Sequence, residues 1–295
     1  MKTGQGSSGG PISSLKAVLE MIKFPHTIFA LPFALLAMAW AGSGWPGWRV
    51  LLLVLLAMAG ARSAAMTFNR IADLRFDREN PRTVRWPLST GEVSLGFAWG
   101  FLALSVLLLL LAAGLLNPLC LKLSPAALVF LLGYSLTKRF TWLCHLVLGF
   151  TDGIAPLGAW IAVTGSFAAP AWWLCAAVTF WVAGFDLLYA LQDLEFDKAH
   201  RLFSFPAKFG VVPALWASGF LHLLTVACYA GAAWSFGAGW LFWLGVAASA
   251  LLLAVEHALI GPGHLSRINA AFFTLNGYIS VGLMLVGFAD LWLER

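Results

Sequence analysis

Apolar residues fall along this chain in long blocks and do not alternate with polar ones. Phe97–Leu116 and Trp234–Val255 carry no charge at all. Each is long enough to cross a hydrocarbon core of about 30 Å, which takes about 20 helical residues. In lipid every backbone polar group must be paired internally, so only helices or closed barrels span. Continuous apolar runs without period-two alternation select helices. Read against loop signals such as Gly42–Trp48 and Gly261–His264, the pattern predicts spans near 25–42, 50–68, 92–116, 124–141, 145–164, 171–190, 211–233, 238–258 and 269–291. The expected architecture is an all-α membrane protein, a single bundle of about nine transmembrane helices over residues 13–295. A Gly/Ser-rich tail over residues 1–12, expected to be disordered, precedes it. An amphipathic stretch around Lys16, Glu20 and Lys23 follows. No cleavable leader pattern opens the chain, so the first span is expected to be a retained anchor.

Composition agrees with lipid as the solvent. Apolar residues make up 61% of 295 positions and charged residues 11%, against about 25% charged in a typical soluble domain. The basic residues then set orientation. Lys2, Lys16 and Lys23 precede the first span, and Arg70, Arg75, Arg78, Arg82 and Arg85 follow the second. Lys138 and Arg139 follow the fourth, Lys198, Arg201 and Lys208 the sixth, and Arg267 the eighth. With nine spans all of these share one side, leaving Arg49, Lys122 and Arg295 on the other. The positive-inside rule predicts a multi-pass protein of the inner (cytoplasmic) membrane with a cytoplasmic N-terminus. The net charge of +5 is thereby read as topogenic, with no nucleic-acid partner expected. No protein partner is evident. Cys120, Cys144, Cys175 and Cys228 lack any CxxC or metal-ligand spacing and are expected to pack in the core.

Two of the loops on the basic side also concentrate acids. After span two, Asn69, Asp73 and Asp77 are spaced by four, so a continuing helix would stack three oxygen-bearing side chains on one face. After span six, Asp193 and Asp197 repeat the spacing, with Asp186 and Tyr189 before them and Lys198, His200 and Arg201 close behind. Stacked carboxylates repel unless something positive lies between them. Mg²⁺ takes carboxylate oxygens and completes its shell with water and substrate phosphates, while Arg and Lys bind the remaining phosphate oxygens. Two facing carboxylate clusters trailed by basic residues therefore point to a metal-bound diphosphate. Arg62, seven residues before Asn69 and so on nearly the same face two turns deeper, is an intramembrane charge and a functional candidate by default. Lys138 and Arg139 read equally as ligands for a substrate anion and as topogenic charges. His145, Asp152, Glu256, His257, Asn269 and Asn276 are expected to pair locally or between helices.

Taken together, these residues resemble the UbiA superfamily of intramembrane prenyltransferases, from Lys23-Phe24-Pro25-His26-Thr27 to Arg267-Ile268-Asn269-Ala270-Ala271-Phe272-Phe273. That family is a nine-helix bundle with NxxxDxxxD and DxxxD motifs on cytoplasmic loops. Asn69, Asp73 and Asp77 match the first as metal-binding positions, and Asp193 and Asp197 match the second. Arg62 matches an arginine implicated in diphosphate binding. Tyr189-Ala190-Leu191-Gln192-Asp193 and Thr137-Lys138-Arg139-Phe140-Thr141 look like the branch that prenylates aromatic acids. That likeness implies acceptor-binding roles for Lys138, Arg139 and Tyr189. Arg70, where many members have Asp, and Trp86 depart from the common pattern and lean towards menaquinone-pathway relatives.

The resemblance implies Mg²⁺-dependent transfer of a polyprenyl group from polyprenyl diphosphate to a small aromatic acid, 4-hydroxybenzoate or a hydroxynaphthoate, in ubiquinone or menaquinone biosynthesis. Asp73, Asp77, Asp193, Asp197 and Arg62 are the expected catalytic set, with Arg82 and Lys198 adding hydrogen bonds to the diphosphate and a second-loop carboxylate taking the proton. The competing expectation is a cation or metabolite transporter using the Asp clusters as an ion site. Against it, the clusters sit at one face of the membrane and paired broken helices are missing.

Overall fold

The computed structural model describes residues 11–23, 27–260 and 268–293, and these are helical with no strand among them. The first ten residues of the expected tail, the Gly261–His264 loop, Arg267 and Arg295 lie outside the described residues. In chain order the helices are α1 (Pro11–Met21), α2 (Thr27–Ala41), α3 (Trp48–Ala72), α4 (Leu74–Glu79), α5 (Pro87–Thr90), α6 (Leu95–Leu116) and α7 (Pro118–Thr137). They continue as α8 (Cys144–Thr164), α9 (Ala169–Ala190), α10 (Leu194–Ala199), α11 (Phe205–Phe209), α12 (Val211–Phe236), α13 (Trp240–Leu259) and α14 (Ile268–Leu293).

Among the described residues, 8 helices are long and apolar enough to cross a membrane: α3, α6, α7, α8, α9, α12, α13 and α14. The first predicted span is α2, a shorter apolar helix of 15 residues with Pro32 inside it. The fourth differs from its expected bounds of 124–141. Asn117 caps α7 by accepting from the amides of Leu119 and Cys120, with Pro118 in the first turn, so the helix starts six residues early. It ends four residues early, which leaves Lys138 and Arg139 beyond the helix.

α9 is the central helix. Leu174, Ala177, Val178, Trp181 and Ala183 are fully buried on it, and it packs against α8 and α12. Lipid gives helices little hydrophobic reason to associate, so close backbone approach and van der Waals packing must hold them. Gly149 and Gly153 of α8 supply that approach. A Cβ on Gly149 would run into the Thr179 carbonyl, and one on Gly153 would meet the Cys175 carbonyl at 2.6 Å. Around this pair α2 packs on α8 and α14, α13 on α12 and α14, and α3 on α6 and α7. Large apolar side chains such as Trp216, Leu223 and Trp234 face outward, as lipid contact requires.

Candidate active site

Neither Asp-rich segment is the uninterrupted helix that its spacing suggests. α3 stops at Ala72, and Asp73 occupies the bridge region with φ −95° and ψ 7° before α4 begins. The i→i−4 bonds still pass through the break, from Asp73 N–H to the Asn69 carbonyl (2.9 Å) and from Asp77 N–H to that of Asp73 (2.8 Å). The second segment does the same thing. A single 3₁₀ turn over Leu191–Asp193 follows α9, Asp193 sits at φ −102° and ψ 8°, and α10 follows. The bridge conformation is sparsely populated and common at functional sites. Here it places one aspartate of each pair at the break while the second stays on a short helix.

The four carboxylates line one cavity of about 120 Å³, together with Arg70, Arg82, Lys138, Arg139, Asn80 and Trp86. Each acid holds one base. Arg70 pairs with Asp77 at 3.1 Å, Arg139 with Asp73 at 3.2 Å, Arg82 with Asp193 at 2.5 Å and Lys138 with Asp197 at 2.7 Å. The pairing is needed because Asp77, Asp193 and Asp197 are all buried, and an unpaired buried charge is costly. Asn80 adds a hydrogen bond to Asp193 at 3.0 Å, and the Ser204 hydroxyl donates to Asp197 at 2.7 Å. Burial pushes the Asp73 carboxyl above the ordinary range against the opposing pull of Arg139. For Lys138 burial pulls the other way, but the facing Asp197 outweighs it and the ammonium is held above its usual value.

Trp86 forms one wall of this pocket. The Arg70 guanidinium lies over its ring at 3.9 Å, the Lys23 ammonium at 4.4 Å and Arg82 at 5.6 Å. The two positions that depart from the common family pattern, Arg70 and Trp86, are thus in contact. A cation at position 70 gains both a carboxylate, Asp77, and an aromatic face.

The remaining expected residues lie elsewhere. Asn69 does not line the cavity; it donates to Asp73 at 3.0 Å and accepts from Arg70, so it acts through both. Tyr189 stands behind Arg82, whose Nη1 donates to its hydroxyl at 3.2 Å. Lys198, one residue past Asp197 and so about 100° further round α10, faces out and pairs with Glu195 at 3.5 Å.

Arg62 lines a different space. Seven residues is about 10 Å along a helix, which takes it below the acidic pocket into the wall of an apolar cavity of about 430 Å³. Met58, Phe130 and Leu148 line this cavity, and Arg62, Asp152 and Tyr134 are among its polar members, with Ser124 and Thr151. Arg62 donates to the Lys23 carbonyl at 3.3 Å, while its buried Nε has no hydrogen-bond partner. The same two helices border both spaces. α3 passes from Met66 in the apolar cavity to Arg70 in the polar one, and α7 runs from Tyr134 in the first to Lys138, just past its end, in the second.

Among the described residues no three His, Cys, Asp or Glu side chains converge tightly enough to hold an ion by themselves. The donor set instead fits Mg²⁺ shared with phosphate. That ion keeps several waters and takes one or two carboxylates plus substrate oxygens, and carboxylates from both segments open on the same cavity with bases beside them.

A helical membrane bundle with a charge-paired pocket at one end and an apolar cavity beneath it is the architecture of an intramembrane prenyltransferase. Residues 30–278 match the UbiA prenyltransferase family, and the chain belongs to that family. The transporter reading is set aside by this membership. A 4-hydroxybenzoate octaprenyltransferase of Shewanella amazonensis is 32% identical over 267 residues, covering 90% of each chain. Among solved structures, the apo form of a UbiA homolog from Aeropyrum pernix superposes with a TM-score of 0.80 at 35% identity, over 91% of this chain and 98% of that one. A UbiA homolog from Archaeoglobus fulgidus bound to DMAPP and Mg²⁺ shares the fold, with a TM-score of 0.70 at 21% identity over 94% and 99%.

Proposed function

We propose that this prenyltransferase moves a polyprenyl group from polyprenyl diphosphate to a small aromatic acid, 4-hydroxybenzoate or a hydroxynaphthoate, in quinone biosynthesis. The observation that carries the reading is the meeting of four acids and four bases around one cavity directly above a larger apolar one. A molecule with a polyanionic head and a hydrocarbon tail matches that division. The relatives named as 4-hydroxybenzoate octaprenyltransferases and the homolog structures with DMAPP or GPP and Mg²⁺ support the same substrate pair.

In this reading Asp73, Asp77, Asp193 and Asp197 are the carboxylates that would hold Mg²⁺. Bound there, the metal would offset charge on the departing diphosphate and so lower the barrier to breaking the allylic C–O bond. Arg82, Lys138 and Arg139, released from their aspartates, are placed to take phosphate oxygens through charge-assisted hydrogen bonds. Arg62 sits one level lower, at the junction of head and tail. The apolar walls would keep water from the allylic cation while the electron-rich ring attacks it. A carboxylate of the second segment would then accept the ring proton. The polar pocket is assigned to the cytoplasmic face of the inner membrane, since the Arg- and Lys-bearing loops meet there.

The test is turnover in nanodiscs with Mg²⁺, a polyprenyl diphosphate and either 4-hydroxybenzoate or 1,4-dihydroxy-6-naphthoate, with EDTA as the control. Product that EDTA abolishes, with one of the two acids, is the expected result and identifies the acceptor. Turnover that survives EDTA would remove the metal from the scheme. Diphosphate binding without product from either acid would overturn the acceptor assignment.

A further inference from the structure

One polar pair lies outside the pocket and has no part in the chemistry above. His145, at the start of α8, is buried, and its Nδ1 lies 2.6 Å from the Asp186 Oδ2 on α9. Its other ring nitrogen is also engaged. The backbone N–H of Phe205 donates to Nε2 at 3.2 Å. A backbone amide can only donate, so Nε2 must carry a lone pair and Nδ1 must carry the proton. The Nδ1–H tautomer alone satisfies both bonds, and Asp186 selects it by accepting that proton.

What the ring then holds is the start of α11, and beside it stands a residue of the pocket. Ser204 caps α11 by accepting from Ala207 N–H at 3.3 Å. The same hydroxyl donates to Asp197 Oδ2 at 2.7 Å. Around it the chain is pinned on either side of Ser204. Phe203 N–H donates to the Lys138 carbonyl at 2.7 Å, the Phe203 carbonyl accepts from Cys144 Sγ at 3.5 Å, and Phe205 N–H reaches His145. Asp186, His145, the backbone at Phe205, Ser204 and Asp197 therefore form an unbroken series from the interior of the bundle to the pocket. Arg201 begins the approach in the left-handed region at φ 55°, so the segment leaves α10 in a costly conformation that other contacts must hold in place.

We propose that Asp186 and His145 are positioning residues that fix the Ser204 hydroxyl, and through it the orientation of the Asp197 carboxylate towards the divalent cation. With Ser204 on Oδ2, Oδ1 is the oxygen turned to Lys138 at 2.7 Å and is the one presented to an incoming ligand. This inference rests on the metal-binding reading of the pocket. Outer partners of this kind typically change metal affinity or activity by about 10- to 100-fold when removed.

The experiment titrates the full-length protein in detergent with Mn²⁺ by EPR, and measures half-saturating Mg²⁺ in turnover and the thermal midpoint without metal. His145→Phe and Ser204→Ala should each weaken Mn²⁺ binding about tenfold, and the double variant should be no worse than either single one. His145→Gln should restore binding to within about twofold, since its amide can accept from Phe205 and donate to Asp186. Asp186→Asn keeps the shape but lets the amide donate to Nδ1, which favours the wrong tautomer. It should fall between the two and serves if His145→Phe does not fold. Multiplying effects in the double variant, or a lowered thermal midpoint with Mn²⁺ affinity intact, would overturn the relay alone. Failure of the unaltered protein to bind Mn²⁺ would overturn the metal reading and the relay together.

Discussion

At Asp73 and at Asp193 the backbone does the same thing: a membrane helix ends, one aspartate takes the bridge conformation, and a helix of six residues carries the second. The surroundings of the two segments differ. The aspartates of the first draw on their own neighbourhood, with Asn69 on Asp73 and Arg70 on Asp77, and take Arg139 from another loop, while Glu79 pairs with His200 of the second. The second draws almost wholly on the others. Asn80 and Arg82 come to Asp193 from the first loop, and Lys138 comes to Asp197 from the end of α7. Equal spacing in sequence thus produces one segment that organises itself and one that is organised from outside. The first is built mostly from residues within two helical turns of it, whereas the second depends on three loops meeting.

The largest effects should come from the aspartates at the two breaks. Asp73→Ala and Asp193→Ala should each reduce turnover at least about a hundredfold, as for loss of a group that stabilises developing charge, with folding largely kept. Near-native activity in either purified variant would break the equivalence of the two segments. Arg82→Ala should distinguish them. It removes the tie between the loops as well as a base, so pyrophosphate competition should weaken about thirtyfold, the equivalent of a charge-assisted hydrogen bond of ~2 kcal/mol. Arg70→Ala should cost less in the same assay because its ties are local, and the reverse order would contradict the comparison. Trp86→Leu follows, with a rise of about fivefold in KM for the prenyl diphosphate, from ~1 kcal/mol of cation–π contact. Lys198→Ala should change KM by less than about twofold, since exposed ion pairs contribute little. A tenfold rise would return Lys198 to the pocket.

The spans were legible because lipid imposes one rule on every stretch of backbone, and apolar runs of sufficient length leave little choice. The acidic spacing was legible too, since four residues is one helical turn whatever the tertiary setting. The partners of those acids were not. Arg82 meets Asp193 across 111 positions, and Ser204 reaches Asp197 only because the chain turns back at Arg201. Arg82 was expected as a diphosphate ligand, but nothing local marks either residue as the partner of an aspartate. Lys198 shows the opposite error. Its position next to Asp197 suggested a shared site, but neighbours on a helix point about 100° apart. Arg62 was singled out as a costly intramembrane charge, and helical rise carries it to the next level down. Trp86 stood out in the sequence only as a departure from the common pattern; Arg82 and Arg85 just before it were the local signal for a ring that meets cations.

The four-by-four pairing has a consequence for how the pocket discriminates. A lone divalent cation finds every carboxylate already engaged by a base, and a lone diphosphate finds every base engaged by a carboxylate. Either newcomer by itself must break ion pairs and leave the displaced partners unmatched. A metal–diphosphate complex brings a replacement for both sides at once, so each acid can exchange its base for the metal as each base exchanges its acid for phosphate. On the proposed function the site binds the pair more tightly than either part, although each part still binds alone. Titrations of either component should accordingly steepen when the other is present.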